Sequence, residues 1–128
     1  TYLSMPNISI KMAAVQSGIN AKYPGYKPDG YALNGPIKFK SGEVSMKYAY
    51  ADGSSEYTLT QQKSNWDSAA VKEYFTEKSK SPATTMVDGL TIYSSGKNAV
   101  WVNGGILYQI TGSANLSNEQ IQKIATSL

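Results

Sequence analysis

The chain has 128 residues, enough for one domain around one hydrophobic core. It contains no His, no Cys and no Arg, which removes disulfides, thiolate chemistry, the commonest general base and the fork best suited to phosphate. Twelve Lys against nine acids give a net charge of +3, a mild and scattered excess. Charged residues make up only 16% of the chain, and Ser, Thr, Asn, Gln, Gly and ten Tyr fill the difference. That mixture suits strand surfaces and turns, and it recurs in exported domains.

A first helix is expected over 7–17, capped by Asn7 or Ser9 and ended by Gly18, with Ile8, Met12 and Val15 at helical spacing. Its opening residues also alternate like a strand. The run from Lys22 to Tyr31 follows, with three tyrosines, two prolines and two glycines. It cannot be helical, because each proline pushes its predecessor toward extended geometry. Tyr31 to Lys40 then reads as one strand leading into a Ser41-Gly42 turn. Glu43 to Ala51 alternates, with Val44, Met46, Tyr48 and Tyr50 on one face. Asp52-Gly53 signals a hairpin into Ser55 to Lys63.

Asp67 caps a second helix, whose stripe is Ala70, Val71, Tyr74 and Phe75, with Trp66 as a staple onto Val71. Lys78 and Lys80 suit its C-terminal end, and Pro82 stops it. Turns at Asp88-Gly89, Ser95-Gly96-Lys97-Asn98 and Asn103-Gly104-Gly105 separate strands at 84–87, 90–94, 99–102 and 106–111. Taking Asn103-Gly104-Gly105 as a three-residue loop pairs Val102 with Ile106 and Trp101 with Leu107. The last helix has Ser117 as N-cap, Gln120 completing a capping box, and Ile121, Ile124, Ala125 and Leu128 as its stripe. The order predicts an α+β fold: a twisted antiparallel sheet of about six to seven strands, with two to three helices packed mainly on one face. Residues 1–128 read as one domain.

Little in the chain carries chemistry. Ser94 and Lys97 have Ser-x-x-Lys spacing, but in a turn and without companion motifs. Asp67 with Glu73, or Asp52 with Glu56, could be a carboxylate pair, yet Asp67 caps a helix and Asp52 makes a turn. Asp29, Asp52 and Asp88 each precede Gly as turn residues, not as calcium ligands. No catalytic, cofactor or metal residue is therefore nominated. Lys38, Lys40 and Lys47 form the one strand-borne basic cluster, which would suit anionic envelope polymers. Phe39 and Tyr48, interleaved with those lysines, read as core residues, so no nucleic acid is expected. One aromatic constellation stands out. With Trp101 opposite Leu107, and Tyr93 beside them, the sheet would carry a second apolar face. Such a face implies either a second layer of cover, from the first helix or the tyrosine run, or a groove for a ligand; cover is the favoured expectation.

Three stretches resemble a bacterial domain of unknown function, DUF4367: Tyr23-Pro24-Gly25-Tyr26-Lys27-Pro28-Asp29-Gly30-Tyr31, Asn98 through Tyr108, and Leu116 through Leu128. The resemblance covers the chain from about residue 20. It implies an extracytoplasmic location, often behind a single membrane anchor and sometimes in anti-sigma factors, and it brings no catalytic residues. The chain starts at Thr1 without an initiator Met, so it is expected to be a piece of a longer, membrane-anchored protein. The expected function is non-enzymatic binding or sensing of a protein or envelope component, with a regulatory role. The alternative is a carrier of lipid or another apolar ligand in a sheet-lined cleft. Tyr23, Tyr26, Tyr31, Tyr93, Trp101 and Leu107 are the candidate surface for either.

Overall fold

The computed structural model describes residues 2–5, 8–78 and 83–128, excluding the side chains of residues 68 and 76–78. Its elements run β1 (Leu3–Ser4), α1 (Ile10–Ser17), β2 (Tyr31–Leu33), β3 (Lys38–Lys40), β4 (Glu43–Tyr50), β5 (Glu56–Lys63), α2 (Ser68–Lys78), β6 (Ala83–Val87), β7 (Leu90–Ser95), β8 (Asn98–Asn103), β9 (Ile106–Gly112) and α3 (Asn118–Thr126). All strands join one antiparallel sheet in the order β1-β3-β4-β5-β9-β8-β7-β6, with β2 pairing the far end of β4. The α+β class holds, but the described residues form nine strands rather than six or seven. The stretch expected as one strand over 31–40 is broken between β2 and β3, where Gly35 takes φ 81° and Pro36 has no N–H for a ladder. Leu3–Ser4 adds an edge strand against β3.

The inner face holds the main core. Val44, Met46 and Tyr48 of β4, Tyr57 and Leu59 of β5, Tyr108 and Ile110 of β9, and Ala99 and Trp101 of β8 alternate inward. Ala13 of α1 and Ile121, Ile124 and Ala125 of α3 cover them. The expected caps form: Ser9 Oγ accepts from Met12 N, and Ser117 and Gln120 make the full capping box. The expected stripe of α1 does not. Met12 and Val15 face outward, and the helix docks through Ala13 and Ser17, small residues that let its backbone approach β3 and β4.

The tyrosine-proline run crosses this inner face as extended chain. Gln61, fully buried on β5, accepts from Lys22 N at 3.0 Å and donates to Lys22 O at 2.7 Å. Gly25 N donates to Ser127 O at the end of α3. Tyr31 packs on Tyr57, which stacks on Tyr48 at 5.1 Å. Gly30 sits at φ 84° with the Tyr50 ring where a Cβ would be, so this last bend admits only glycine.

Two of the three described helices, α1 and α3, share the inner face, in line with helices packed mainly on one face, and α2 is the exception. It lies on the outer face, where Val71 and Phe75 meet Tyr93, Val100 and Leu107. The inner face of those strands is already occupied, so the connection from β5 to β6 crosses outside. Asp67 caps it as expected, Oδ1 accepting from Ala70 N at 2.9 Å. The expectations placed on Lys80, Pro82 and the Lys78 side chain lie outside the described residues.

Candidate functional site

The six residues selected from the sequence do not come together. Tyr23 is 44% exposed, Tyr26 and Tyr31 are half-buried in the run, and Tyr93, Trp101 and Leu107 are buried. The expected pairing of Trp101 with Leu107 fails because the loop after β8 is one residue shorter. Gly104 and Gly105, at φ 60° and 80°, form a two-residue turn between Asn103 and Ile106. That shift moves Trp101 opposite Tyr108, on which it stacks at 5.4 Å in the inner core. Leu107 instead pairs with Val102 on the outer face, beneath α2. No cleft can hold Trp101 and Leu107 on one wall, since the sheet lies between them.

The outer face offers a different site. Cross-strand register aligns Lys38, Ser45, Thr60, Gln109, Val100 and Tyr93 in one row. Its first four members are polar and its last two lie in the α2 cluster. Where the polar half meets the helix, a groove of about 530 Å³ opens. Gln62, Leu107 and Gln109 form its floor, the link 63–66 one wall, and Tyr74 the other. Trp66 is 39% and Tyr74 41% exposed, with ring centroids 5.3 Å apart and planes tilted by 59°. Trp66 thus lies beside Tyr74, one helical turn beyond the Val71 expected of a staple. A second depression of about 340 Å³ shares these two rings and adds Ala70 and Glu73.

Further out on the same face, Tyr2, Asn34, Lys38, Ser45, Lys47 and Thr58 line a depression of about 350 Å³. The basic cluster is therefore real as a placement, but two of its members face acids: Lys47 lies 4.0 Å from Glu56, and Lys40 lies 4.0 Å from Glu43. Burial holds the Glu43 carboxyl above its ordinary range. Asp52 is held low by its hydrogen bond with Ser54 at the hairpin. Phe39 and Tyr48 are buried core residues, as expected. Among the described residues, no three acids group in a way that would hold a metal ion. An apolar depression of about 610 Å³ runs between α1 and Tyr23, lined by Ile10, Ala14, Val15 and Ile19.

The groove residues were legible only in part. Trp66 and Tyr74 read from the sequence as packing residues of α2, and nothing in the sequence marks Gln62 or Gln109. The available signal was a tryptophan set in the polar stretch Ser64-Asn65-Trp66-Asp67, which has nothing apolar beside it.

The family model described as "Domain of unknown function (DUF4367)" matches residues 22–128. The chain belongs to this family. In this DUF4367 member the match opens at the tyrosine-proline run, so β1 and α1 lie outside it, while the groove beside α2 lies wholly within it. No curated protein matches the chain.

Proposed function

We propose that this chain is a non-enzymatic binding domain that works outside the cytoplasm in a membrane-anchored bacterial protein, and that it senses an envelope component for a regulatory purpose. The observation that carries the binding reading is the groove beside α2. It displays two aromatic rings over a floor of amide side chains, the usual make-up of a recognition site. The acids give less support to catalysis. Asp67 is a cap, Asp52 closes a hairpin, and Glu56 and Glu119 sit near lysines. Among the described residues, Glu73 is the one acid lining the depression on the aromatic pair, whereas glycoside hydrolysis uses two carboxylates. The resemblance in the tyrosine-proline run, the β8–β9 hairpin and the closing helix implies the extracytoplasmic location and the signalling context. The carrier reading loses the cleft it was built on, since Trp101 and Leu107 lie on opposite faces.

Co-sedimentation with purified cell-envelope fractions tests this. The expected result is retention by at least one fraction, reduced in a Trp66→Ala variant. Retention by none would overturn the reading.

A further inference from the structure

We propose that the groove beside α2 binds a neutral carbohydrate chain, with Trp66 and Tyr74 against the apolar face of a sugar ring and Gln62, Asn65 and Gln109 on its hydroxyl groups. The proposal rests on the binding reading above and names the chemistry of the ligand.

The lining selects for it. A pyranose presents C–H bonds on its faces and hydroxyls around its rim, so it needs an aromatic surface beside groups that both donate and accept. An aromatic face is electronegative and suits those C–H bonds. Amide side chains donate and accept at once, as a hydroxyl does, whereas a carboxylate only accepts and an ammonium only donates. The groove has three amides, the Ser64 hydroxyl and one formal charge, Lys63. Its volume, about 530 Å³, falls inside the range of small-ligand sites, about 300–1,000 Å³.

Other ligand classes fit less well. A peptide adding as a strand needs a free sheet edge, and the two strands beneath the groove, β5 and β9, are paired on both sides. A lipid tail needs continuous apolar walls, and the floor here is Gln62 and Gln109 around Leu107. A polyanion needs several cations, and among the described residues Lys63 is the one cation in the lining.

The aromatic wall is also held in place before any ligand arrives. Ser64 N donates to Gly105 O at 2.9 Å, Trp66 N donates to Ser64 Oγ at 3.0 Å, and Asp67 then caps α2. A half-exposed tryptophan on so firmly tied a backbone loses little freedom on binding, which raises affinity. The depression with Ala70 and Glu73 on the same two rings gives room for a second sugar, so the ligand is a chain rather than a single ring.

The test titrates the purified chain with soluble oligomers of β-1,4-glucose, β-1,4-N-acetylglucosamine and β-1,3-glucose, reading tryptophan fluorescence and the side-chain amide NMR signals of Gln62, Asn65 and Gln109. Trp101 is 1% exposed, so a fluorescence change reports on Trp66. The expected result is saturable binding of at least one oligomer. Affinity should fall by about tenfold or more in Trp66→Ala and in Tyr74→Ala, recover in part in Trp66→Phe, and stay unchanged in Met86→Ser on the β6 edge. No saturable change with any oligomer, or unchanged affinity in both alanine variants, would overturn the proposal. A parallel arm separates it from the broader reading. If envelope material is retained equally after glycoside hydrolases have removed its polysaccharide, the carbohydrate assignment fails and the binding reading stands. If untreated material is not retained at all, both fail.

Discussion

Along β5, residues 57, 59 and 61 point one way and residues 58, 60 and 62 the other, and the two sets have different roles. Tyr57, Leu59 and Gln61 are buried under the inner layer, each at 1% exposure or less. Thr58 and Thr60 open onto the outer face, and Gln62 floors the groove. The two tryptophans divide in the same way. Trp101 is sealed against Tyr108 in the core, while Trp66 stands at the surface beside Tyr74. Residue type alone therefore does not separate structure from function in this chain; the face of the sheet does. The inner face spends its polar groups on holding the chain together, as Gln61 does with Lys22, whereas the outer face leaves them available.

That contrast can be broken most sharply at the tryptophans. Trp101→Ala should cost about 3–5 kcal/mol in urea unfolding, because it removes a stacked core ring. Trp66→Ala should stay within about 0.5 kcal/mol of the parent protein and lose binding instead. Similar destabilisation by both would erase the distinction between the faces.

The neighbouring glutamines sharpen it next. Gln61→Ala leaves Lys22 N–H and C=O without their partners and should cost about 2 kcal/mol. Faster hydrogen exchange across residues 22–31 should accompany that loss. Gln62→Ala should leave stability unchanged.

Alkaline pH should act through the inner face. Burial raises the phenols of Tyr48, to about 12, and of Tyr57 and Tyr108 above their ordinary value of 10. The folded state thus holds these protons more tightly than the unfolded chain. Their contribution is fully present below pH 10 and is lost as pH rises through the folded values. Circular dichroism should show cooperative unfolding above pH 10, with delayed tyrosinate absorbance from the core rings.

The smallest effect belongs to Tyr57→Phe. The Tyr57 hydroxyl is the one buried side-chain polar atom without a hydrogen-bond partner among the described residues. Removing it should leave stability unchanged or raise it by up to about 1 kcal/mol, and should move alkaline unfolding to higher pH.

Local signals in the sequence were reliable where they were chemical. The caps Ser9, Asp67 and Ser117, the Asp52-Gly53 and Asp88-Gly89 turns and the stripe of α3 all appear as written in the sequence. What depends on distant parts of the chain was not legible. Pairing in the β8–β9 hairpin turns on whether Asn103 belongs to the loop or the strand, and a one-residue difference moves Trp101 from a proposed groove into the core. The side taken by α2 depends on α3 already filling the other, which no local pattern reveals. Met12 and Val15 looked like the buried stripe of α1 because they are apolar, yet close docking favoured Ala13 and Ser17. Gln61 reads as a solvent residue until Lys22, far away in sequence, is brought against it.

The central claim is that binding belongs to the outer face beside α2. Mapping amide chemical-shift changes as the domain is titrated with an oligosaccharide or envelope polymer that it retains tests this most directly. The account predicts changes concentrated at Gln62, Asn65, Trp66, Tyr74 and Gln109. Changes centred instead on the tyrosine-proline run, at Tyr23 and Tyr26, with those residues silent, would contradict it.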